Sequence, residues 1–267
     1  MTIRISQQEL TEAGGGHFKL SLTVTYPDGE IKTLWAIVPE TLIEYIDLDS
    51  YNWALLTILI PAMKTRQNIK ISGSVSNRLY RAAQTDLQDI LIRLFDGKLG
   101  LIQIDAEKIS TKTDEISPFS GIGFSAGIDS LSSLALLRKY ALLHPTHLAT
   151  LNVGAFGING QTLIPKYRKR LDEFSQEHGY SSIFLDTNID CIFKGITFES
   201  THTIRNAAAV LALGSAFSDY YYSSGRTYNE ARISPTKDMA QADSIMLPLL
   251  STEKNSVPSN RNTFDPT

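Results

Sequence analysis

One string of residues, Ser125-Ala126-Gly127-Ile128-Asp129-Ser130, is the part of this sequence best suited to ligand binding or catalysis. An apolar run before it predicts a strand and residues 131–140 predict a helix, so the string forms a loop that leads into a helix N-terminus. Unpaired backbone N–H groups and the helix dipole favour an anion there, and the serine hydroxyls can donate to it. A carboxylate fits beside phosphates when Mg²⁺ lies between them. We therefore expect a nucleoside-triphosphate site with Asp129 as the magnesium partner.

The same stretch also fits a second pattern with different chemistry. Gly123 to Gly127 matches G-x-S-x-G, the nucleophile elbow of α/β-hydrolases, in which Ser125 would attack a carbonyl group. Such an enzyme needs an acid and then a histidine further along the chain. His202 is the best histidine, because Asp186 and Asp190 precede it. This reading leaves Asp129 and Ser130 without a role, so we favour the phosphate loop.

An arginine and the single cysteine could also take part in binding or catalysis. Arg205 stands at the start of a predicted apolar helix, where a positive charge opposes the dipole. That placement favours an anionic partner for Arg205, such as a phosphate or carboxylate. Cys191, the single cysteine, could carry sulfur as a nucleophile, but a buried thiol is the favoured interpretation.

The elements that position these residues fall into two parts with different patterns. Residues 1–115 predict an α+β module, and the composition shift within 106–120 predicts a linker. The module begins with a loose polar leader, residues 1–16. Its predicted strands are 18–26, 31–38, 68–74 and 101–104, and its predicted helices are 50–63 and 77–95, the second capped by Ser76.

Residues 116–267 alternate strand and helix, which predicts a parallel sheet in a second domain. The predicted strands are 121–124, 148–153, 182–185 and 220–222, and the predicted helices are 130–143, 165–178 and 203–218. Residues 251–267 are polar and predict a tail. The fold class is therefore α/β, a Rossmann-like parallel sheet with an N-terminal α+β module.

Composition excludes several classes of protein. The chain has 267 residues, of which 42% are hydrophobic and 20% charged, and its net charge is −3. This balance gives no strong nucleic-acid signal, and a single cysteine excludes an intrachain disulfide and a multi-cysteine zinc site. The longest apolar run, residues 53–63, is too short for a membrane span. We expect a cytoplasmic protein with a small-molecule substrate, and homodimerisation stays open.

The string 125–130 resembles S-G-G-x-D-S, the pyrophosphate loop (PP-loop) of the N-type ATP pyrophosphatases, with alanine at the first glycine. The resemblance covers about residues 119–250 and is to the 7-cyano-7-deazaguanine synthase branch. Three further segments match in order: Leu151-Asn152-Val153-Gly154 corresponds to a strand end that contacts adenine, Arg205-Asn206 to an Arg-Asn pair that opens a helix, and Ser223-Ser224-Gly225 to small residues that face the nucleotide.

The resemblance implies an adenine nucleotide α-hydrolase-like fold, ATP and Mg²⁺ as cofactors, and a ligase that adenylates a carboxylate or carbonyl and releases pyrophosphate before a nitrogen nucleophile attacks. Asp129 and Arg205 would be catalytic, with Mg²⁺ held by Asp129 through ATP. The implied nucleotide-binding residues are Phe124, Ser125, Ala126, Gly127, Ile128, Asp129, Ser130, Asn152, Val153, Arg205, Ser224 and Gly225.

The sequence also departs from this branch. The synthase has four zinc-binding cysteines near its C-terminus and this chain has none, so we expect a divergent relative or a shortened chain. The module 1–115 has no counterpart in the synthase, which leaves the acceptor substrate open. A third hypothesis is therefore a nucleotide-binding or partner-binding protein that has lost turnover.

Overall fold

Nine strands and seven α-helices make up the part of the chain that the computed structural model describes, residues 1–113, 117–140 and 144–258. The strands are β1 (Thr2–Gly14), β2 (His17–Thr25), β3 (Ile31–Pro39), β4 (Asn68–Ser76), β5 (Ile104–Ser110), β6 (Ser120–Gly123), β7 (His147–Asn152), β8 (Ser181–Thr187) and β9 (Asp219–Tyr221). The helices are α1 (Asn52–Thr65), α2 (Asn77–Gln84), α3 (Asp86–Leu94), α4 (Ile128–Tyr140), α5 (Gly160–His178), α6 (His202–Ala212) and α7 (Asp243–Met246).

All nine strands belong to one sheet, in the order β5-β4-β1-β2-β3-β8-β7-β6-β9. Strands β6 to β9 pair in parallel, as the alternating pattern predicts, while β1, β2, β3 and β8 are joined by antiparallel pairings. The α/β class is therefore confirmed.

The sheet continues across the predicted linker because β3 and β8 are neighbours. Ala36 pairs with Thr187 and Ile37 with Asp186. The Asn188 side chain extends this contact, because it accepts from the Trp35 amide at 2.7 Å and donates to the Thr33 carbonyl at 2.8 Å. Helices α1 and α6 pack together behind these strands. The two parts of the chain thus share one sheet and one large apolar core.

Helices cover the two faces of the sheet unequally. Helices α1, α2, α3 and α6 contribute buried side chains to the large core. A second cluster on the opposite face joins α4 and α5 to β6, β7 and β8 through Leu134, Leu137, Leu171, Ile122 and Phe184. Both faces are therefore covered around the parallel strands, which is the usual environment of a parallel sheet.

The predicted leader is wrong, because residues 2–14 form β1. Ile3 and Ile5 are fully buried, while Arg4 between them is exposed. This short alternation predicts a strand, and the polar residues and glycines that follow it concealed the signal.

The predicted helix 77–95 is divided in two at Thr85, whose φ and ψ are −130° and −102°. The buried Gln88 side chain holds this break: it donates to the carbonyls of Ala83 and Ile102 and accepts from the Ile102 amide. The Ser76 cap is confirmed, since its hydroxyl accepts from the Leu79 amide at 3.2 Å. Periodicity continues across the break because both helices bury the same side.

Several boundaries also differ from the prediction. The predicted strand 101–104 is displaced to β5, so residues 106–110 are strand rather than linker. Helix α6 ends at Ala212, and Gly214 follows with a φ of 66°, where a Cβ atom would lie 2.0 Å from the Tyr45 carbonyl oxygen. The predicted end of α4, residues 141–143, and part of the linker, 114–116, lie outside the described residues.

The predicted tail is wrong for residues 251–258, which pack against the sheet. Ser256 bridges to Asp219 of β9, and Val257 is 1% exposed. Residues 259–267 lie outside the described part of the chain. Among the described residues, no helix has the length and apolarity needed to cross a bilayer.

Candidate functional site

The C-terminal half of the sheet has a point at which the chain reverses its direction across the strands. From β6 the chain passes to β7 and β8 on one side, and it then returns to β9 on the other side of β6. Open α/β sheets bind ligands outside the carboxyl ends of their strands at such a point. The loop 124–130 after β6 and the residues 222–225 after β9 both lie there.

A cleft of about 360 Å³ opens at this edge of the sheet. Its walls come from the ends of β6, β7 and β9, the start of α4, the first turns of α5, and α6. The lining residues are Gly123, Phe124, Ser125, Asp129, Ser130, Ala149, Thr150, Leu151, Val153, Ala155, Phe156, Leu163, Tyr167, Phe198, Asn206, Tyr220, Tyr222 and Ser223. Five of the predicted site residues are thus brought together in the lining: Phe124, Ser125, Asp129, Ser130 and Val153.

Hydrogen bonds within the loop hold it against the start of α4. The buried Ser130 hydroxyl donates to the Gly127 carbonyl at 2.9 Å and lies 3.4 Å from the Ser125 hydroxyl. Ser125 in turn accepts from the Gly127 amide at 3.3 Å. Ser125 is exposed and lines the cleft. The loop is therefore shaped by its own serines before any ligand binds.

Ala126 has a left-handed backbone conformation, with a φ of 54°. This region disfavours residues with a Cβ atom and suits glycine. The position is the one at which the resembling motif has its first glycine. The loop thus keeps the backbone geometry of a glycine-containing turn although alanine occupies the position.

Asp129 is exposed on the cleft wall, in the first turn of α4. Of the described residues that line the cleft, Asp129 is the charged one, and none is lysine or arginine. The described part of the chain also contains no group of three metal-ligating side chains. Among the described residues, hydroxyls, the amides at the start of α4 and the helix dipole are the groups that the cleft offers an anion.

Arg205 does not line the cleft. Its side chain is 1% exposed, and it donates to the Thr201 hydroxyl at 2.7 Å, to the Val153 carbonyl at 3.2 Å, and to Asp190. It also donates to the Ile196 carbonyl at 3.3 Å. Burial lowers the pKa of Arg205, and the hydrogen bond to Asp190 opposes this effect.

These contacts change the interpretation of Arg205. Its anionic partner is Asp190, a residue of the protein, and its other donors hold the Thr201 hydroxyl and the backbone carbonyls of Val153 and Ile196. Gly154, with a φ of 107°, follows Val153, and a Cβ atom there would lie 2.8 Å from the guanidinium. The geometry therefore favours a positioning role for Arg205 over direct contact with a nucleotide.

Four other predicted residues are placed around the cleft but not on its lining. The Asn152 side chain donates to Asp186 at 2.6 Å, toward β8. The buried Ser224 donates to Asp243 at 2.8 Å, while Gly225 is exposed beyond it. Ile128 points into solvent and is 80% exposed. Within the predicted segment 223–225, Ser223 is the residue that lines the cleft.

A network of ionisable groups reaches the cleft lining at Tyr222. His202 Nδ1 is 2.7 Å from the Tyr222 hydroxyl, and His202 Nε2 is 3.3 Å from Asp238. Buried Asp243 accepts from Thr203 at 2.6 Å and from Ser224. Burial raises the pKa of Tyr222 well above its usual value, and Asp243 adds to this effect, so the phenol is neutral near pH 7. Burial likewise raises the pKa of Asp243.

This network bears on the hydrolase hypothesis. A serine nucleophile requires a histidine nitrogen within hydrogen-bonding distance, or one that can reach it when substrate binds. Both ring nitrogens of His202 contact Tyr222 and Asp238, and the Ser125 hydroxyl contacts Ser130 and the Gly127 amide. The arrangement gives Ser125 no described base and favours its role in the loop.

Sequence reasoning missed part of the cleft wall. Thr150, Phe156 and Phe198 line it without having been singled out, whereas Asn206, which the resemblance pairs with Arg205, does line it. Thr150 follows Leu148 by two residues on β7, so the strand period could have placed both on one face. Phe156 and Tyr167 make an edge-to-face contact with ring centroids 5.1 Å apart, which no local pattern predicts.

Cys191 lies away from the cleft. Its half-buried thiol packs against the large core, and burial raises its pKa. These properties agree with a buried thiol and do not favour a nucleophile.

Comparison with protein-family models, with curated proteins and with solved structures found no match to this chain.

Proposed function

We propose that the protein binds ATP with Mg²⁺ in the cleft at the ends of β6, β7 and β9 and uses it to adenylate a small-molecule carboxylate or carbonyl. The observation that carries this proposal is the loop 125–130, which lies between a strand and a helix N-terminus at the reversal point of the sheet. This place combines backbone donors and the positive end of α4, both of which suit phosphates.

The chemistry of the loop supports a role for magnesium. Asp129 is exposed on the cleft wall with no lysine or arginine in the described lining. A carboxylate there would repel phosphates unless a cation separates them. Asp129 would hold Mg²⁺ beside the bound nucleotide, and the ion would supply charge neutralisation there.

The other residues of the cleft would bind and orient. The Ser125 hydroxyl and the first amides of α4 would donate to phosphate oxygens, and the apolar and aromatic walls of Phe156, Tyr167 and Phe198 would exclude water from the reacting atoms. Arg205 contributes indirectly, because it fixes the backbone at Val153 and Ile196. Pyrophosphate leaves after the substrate oxygen attacks, and a nitrogen nucleophile then displaces AMP.

The binding test is isothermal titration with ATP in the presence and absence of Mg²⁺. We expect Asp129→Asn to weaken ATP–Mg²⁺ binding by about tenfold or more and to remove the magnesium dependence. Asp89→Asn is the matched control, since Asp89 is also an exposed acid in the first turn of a helix, α3. If ATP binding by the Asp129→Asn variant depended on magnesium as it does in the wild type, the proposed site at Asp129 would be refuted.

A second candidate is a nucleotide-binding protein without turnover. The lack of lysine and arginine in the described lining favours it, since these residues commonly stabilise transferring phosphoryl groups. Pyrophosphate release, measured with ATP, ammonia and a panel of carboxylates, separates the two candidates. ATP binding without release across the panel would favour the binding protein, and labelling of Ser125 by a fluorophosphonate would favour the hydrolase.

A further inference from the structure

A second cavity, of about 530 Å³, lies where the two parts of the chain meet on another side of the molecule. Its walls are the end of α1 at Lys64, the turn 94–99 after α3, the loop 195–200, and residues 235–237. It shares no lining residue with the cleft. Ligand sites occur preferentially between such structural units.

Hydrogen bonds between the walls keep this cavity open. The Thr236 amide donates to the Leu94 carbonyl at 3.0 Å, which ties residues 235–237 to the end of α3. The Lys64 ammonium donates to the Gly195 carbonyl at 2.9 Å, which ties the loop to α1. The cavity is therefore formed before a ligand arrives.

The lining combines an apolar floor with a cationic rim. Leu94 and Leu99 are buried, and Phe95 and Ile196 lie half-buried beside them. Lys64, Lys98 and Lys237 supply the rim, and Asp96 is the carboxylate among the described lining residues.

None of these cations is neutralised within the described part of the chain. The ammonium groups of Lys98 and Lys237 have no hydrogen bond or salt bridge to the described residues, the Lys64 ammonium contacts a neutral carbonyl, and no salt bridge joins Asp96 to a lysine there. The rim thus has three positive charges against one negative charge, above a surface that favours apolar atoms.

From this combination we infer a second binding site, for an organic carboxylate with an apolar body. The body would cover the floor and the carboxylate would face the lysines. A carboxylate, with a single negative charge, fits better than a doubly charged phosphate because the lining lies at the C-terminal ends of α1 and α3, where the helix dipoles oppose negative charge. The site is independent of the proposed ATP cleft.

The test uses three naphthalene probes that differ in charge: 2-naphthoate, its neutral amide and 2-naphthylmethylammonium. Titration followed by methyl NMR should show 2-naphthoate binding most tightly, with shifts at Leu94, Leu99 and Ile196. Absence of 2-naphthoate binding, equal affinity for all three probes, or shifts elsewhere would overturn the inference.

Paired variants test the rim. The double variant Lys98→Ala/Lys237→Ala should weaken 2-naphthoate binding about five- to tenfold, since each exposed pair contributes modestly, and should leave the amide unaffected. The control Lys166→Ala/Lys254→Ala removes two positive charges at positions outside the cavity lining. It should change the affinity for neither 2-naphthoate nor the amide. Equal effects of both pairs would show a nonspecific charge response. ATP titration of the same variants tests the cleft separately, because neither pair lines it.

Discussion

Ala126 holds a backbone conformation that costs alanine more than glycine. At a φ of 54°, its Cβ atom is crowded by the neighbouring backbone, and the loop that follows β6 must accommodate this strain. Because Ser125 and Ser130 fix the loop on either side, the strain is localised at one residue. A glycine would relieve it.

We expect Ala126→Gly to stabilise the protein by about 1 kcal/mol, because relief of the left-handed strain exceeds the entropy that glycine adds to the unfolded chain. Urea unfolding monitored by circular dichroism provides the measurement. Ala135→Gly, in the exposed interior of α4, is the matched control and should destabilise by about 1 kcal/mol. The same sign for both substitutions would contradict the strain at position 126.

Arg205 joins four separate backbone or side-chain partners in a buried place. Arg205→Lys keeps the charge but loses the planar set of donors, so we expect it to destabilise folding by about 3 kcal/mol or more. Arg168→Lys is the control. That guanidinium stacks on Phe184 at 4.2 Å and makes no such hydrogen bonds to the described residues, so its replacement should cost under about 1 kcal/mol.

Urea unfolding and ATP titration together distinguish the two roles of Arg205. A positioning residue predicts a large loss of stability. If the variant kept its stability but lost ATP binding, the hypothesis of direct contact between Arg205 and the nucleotide would be supported instead.

At the scale of elements, β7 begins with a buried histidine. The ring of His147 lies edge-on to Phe119 at 4.9 Å and to Phe217 at 5.5 Å between centroids, and it contacts the Thr146 hydroxyl at 2.7 Å. Burial lowers the pKa of His147. The start of the central parallel strands therefore depends on a neutral imidazole.

This pKa shift predicts a loss of stability in acid. As the pH falls below about 6.5, the unfolded chain protonates His147 while the folded chain resists, so folding weakens toward the lower folded pKa. His147→Gln should reduce the difference between urea midpoints at pH 7.5 and pH 5.5. His144→Gln, at an exposed neighbouring position, should leave that difference as in the wild type. A variant His147→Gln with unchanged pH dependence would contradict the role of burial.

At the scale of the whole molecule, the shared sheet couples the two parts of the chain. The β3–β8 pairing, the Asn188 contacts and the packing of α1 on α6 all cross the predicted boundary near residue 115. Separation of the parts would expose an edge strand and the apolar sides of both helices. The division into domains 1–115 and 116–267 stays a prediction that rests on the sequence pattern.

Cooperative unfolding tests this coupling. Both tryptophans, Trp35 and Trp53, lie in the first part, so their fluorescence reports on residues 1–115 while far-UV circular dichroism reports on the whole chain. We expect coincident urea transitions by the two probes, since one core connects both parts. Two separate transitions would show that the parts fold independently.

Much of the local structure could be predicted because it depends on local patterns. Alternation in residues 18–26 and the cap at Ser76 act over a few residues, and the loop 125–130 follows from a strand, small residues and a helix start in immediate succession. These features determined the α/β class and the place of the candidate site.

The tertiary structure decided what depends on distant residues. The pairing of β3 with β8, the ion pair of buried Arg205 with exposed Asp190 and the aromatic wall of the cleft all join separate segments of the chain. A sequence pattern shows that a strand needs a neighbour or that a buried cation needs an anion, but several segments can satisfy each need. Packing the whole chain into one core selects among them, because backbone groups and charges lose water on burial and must find partners at the same time.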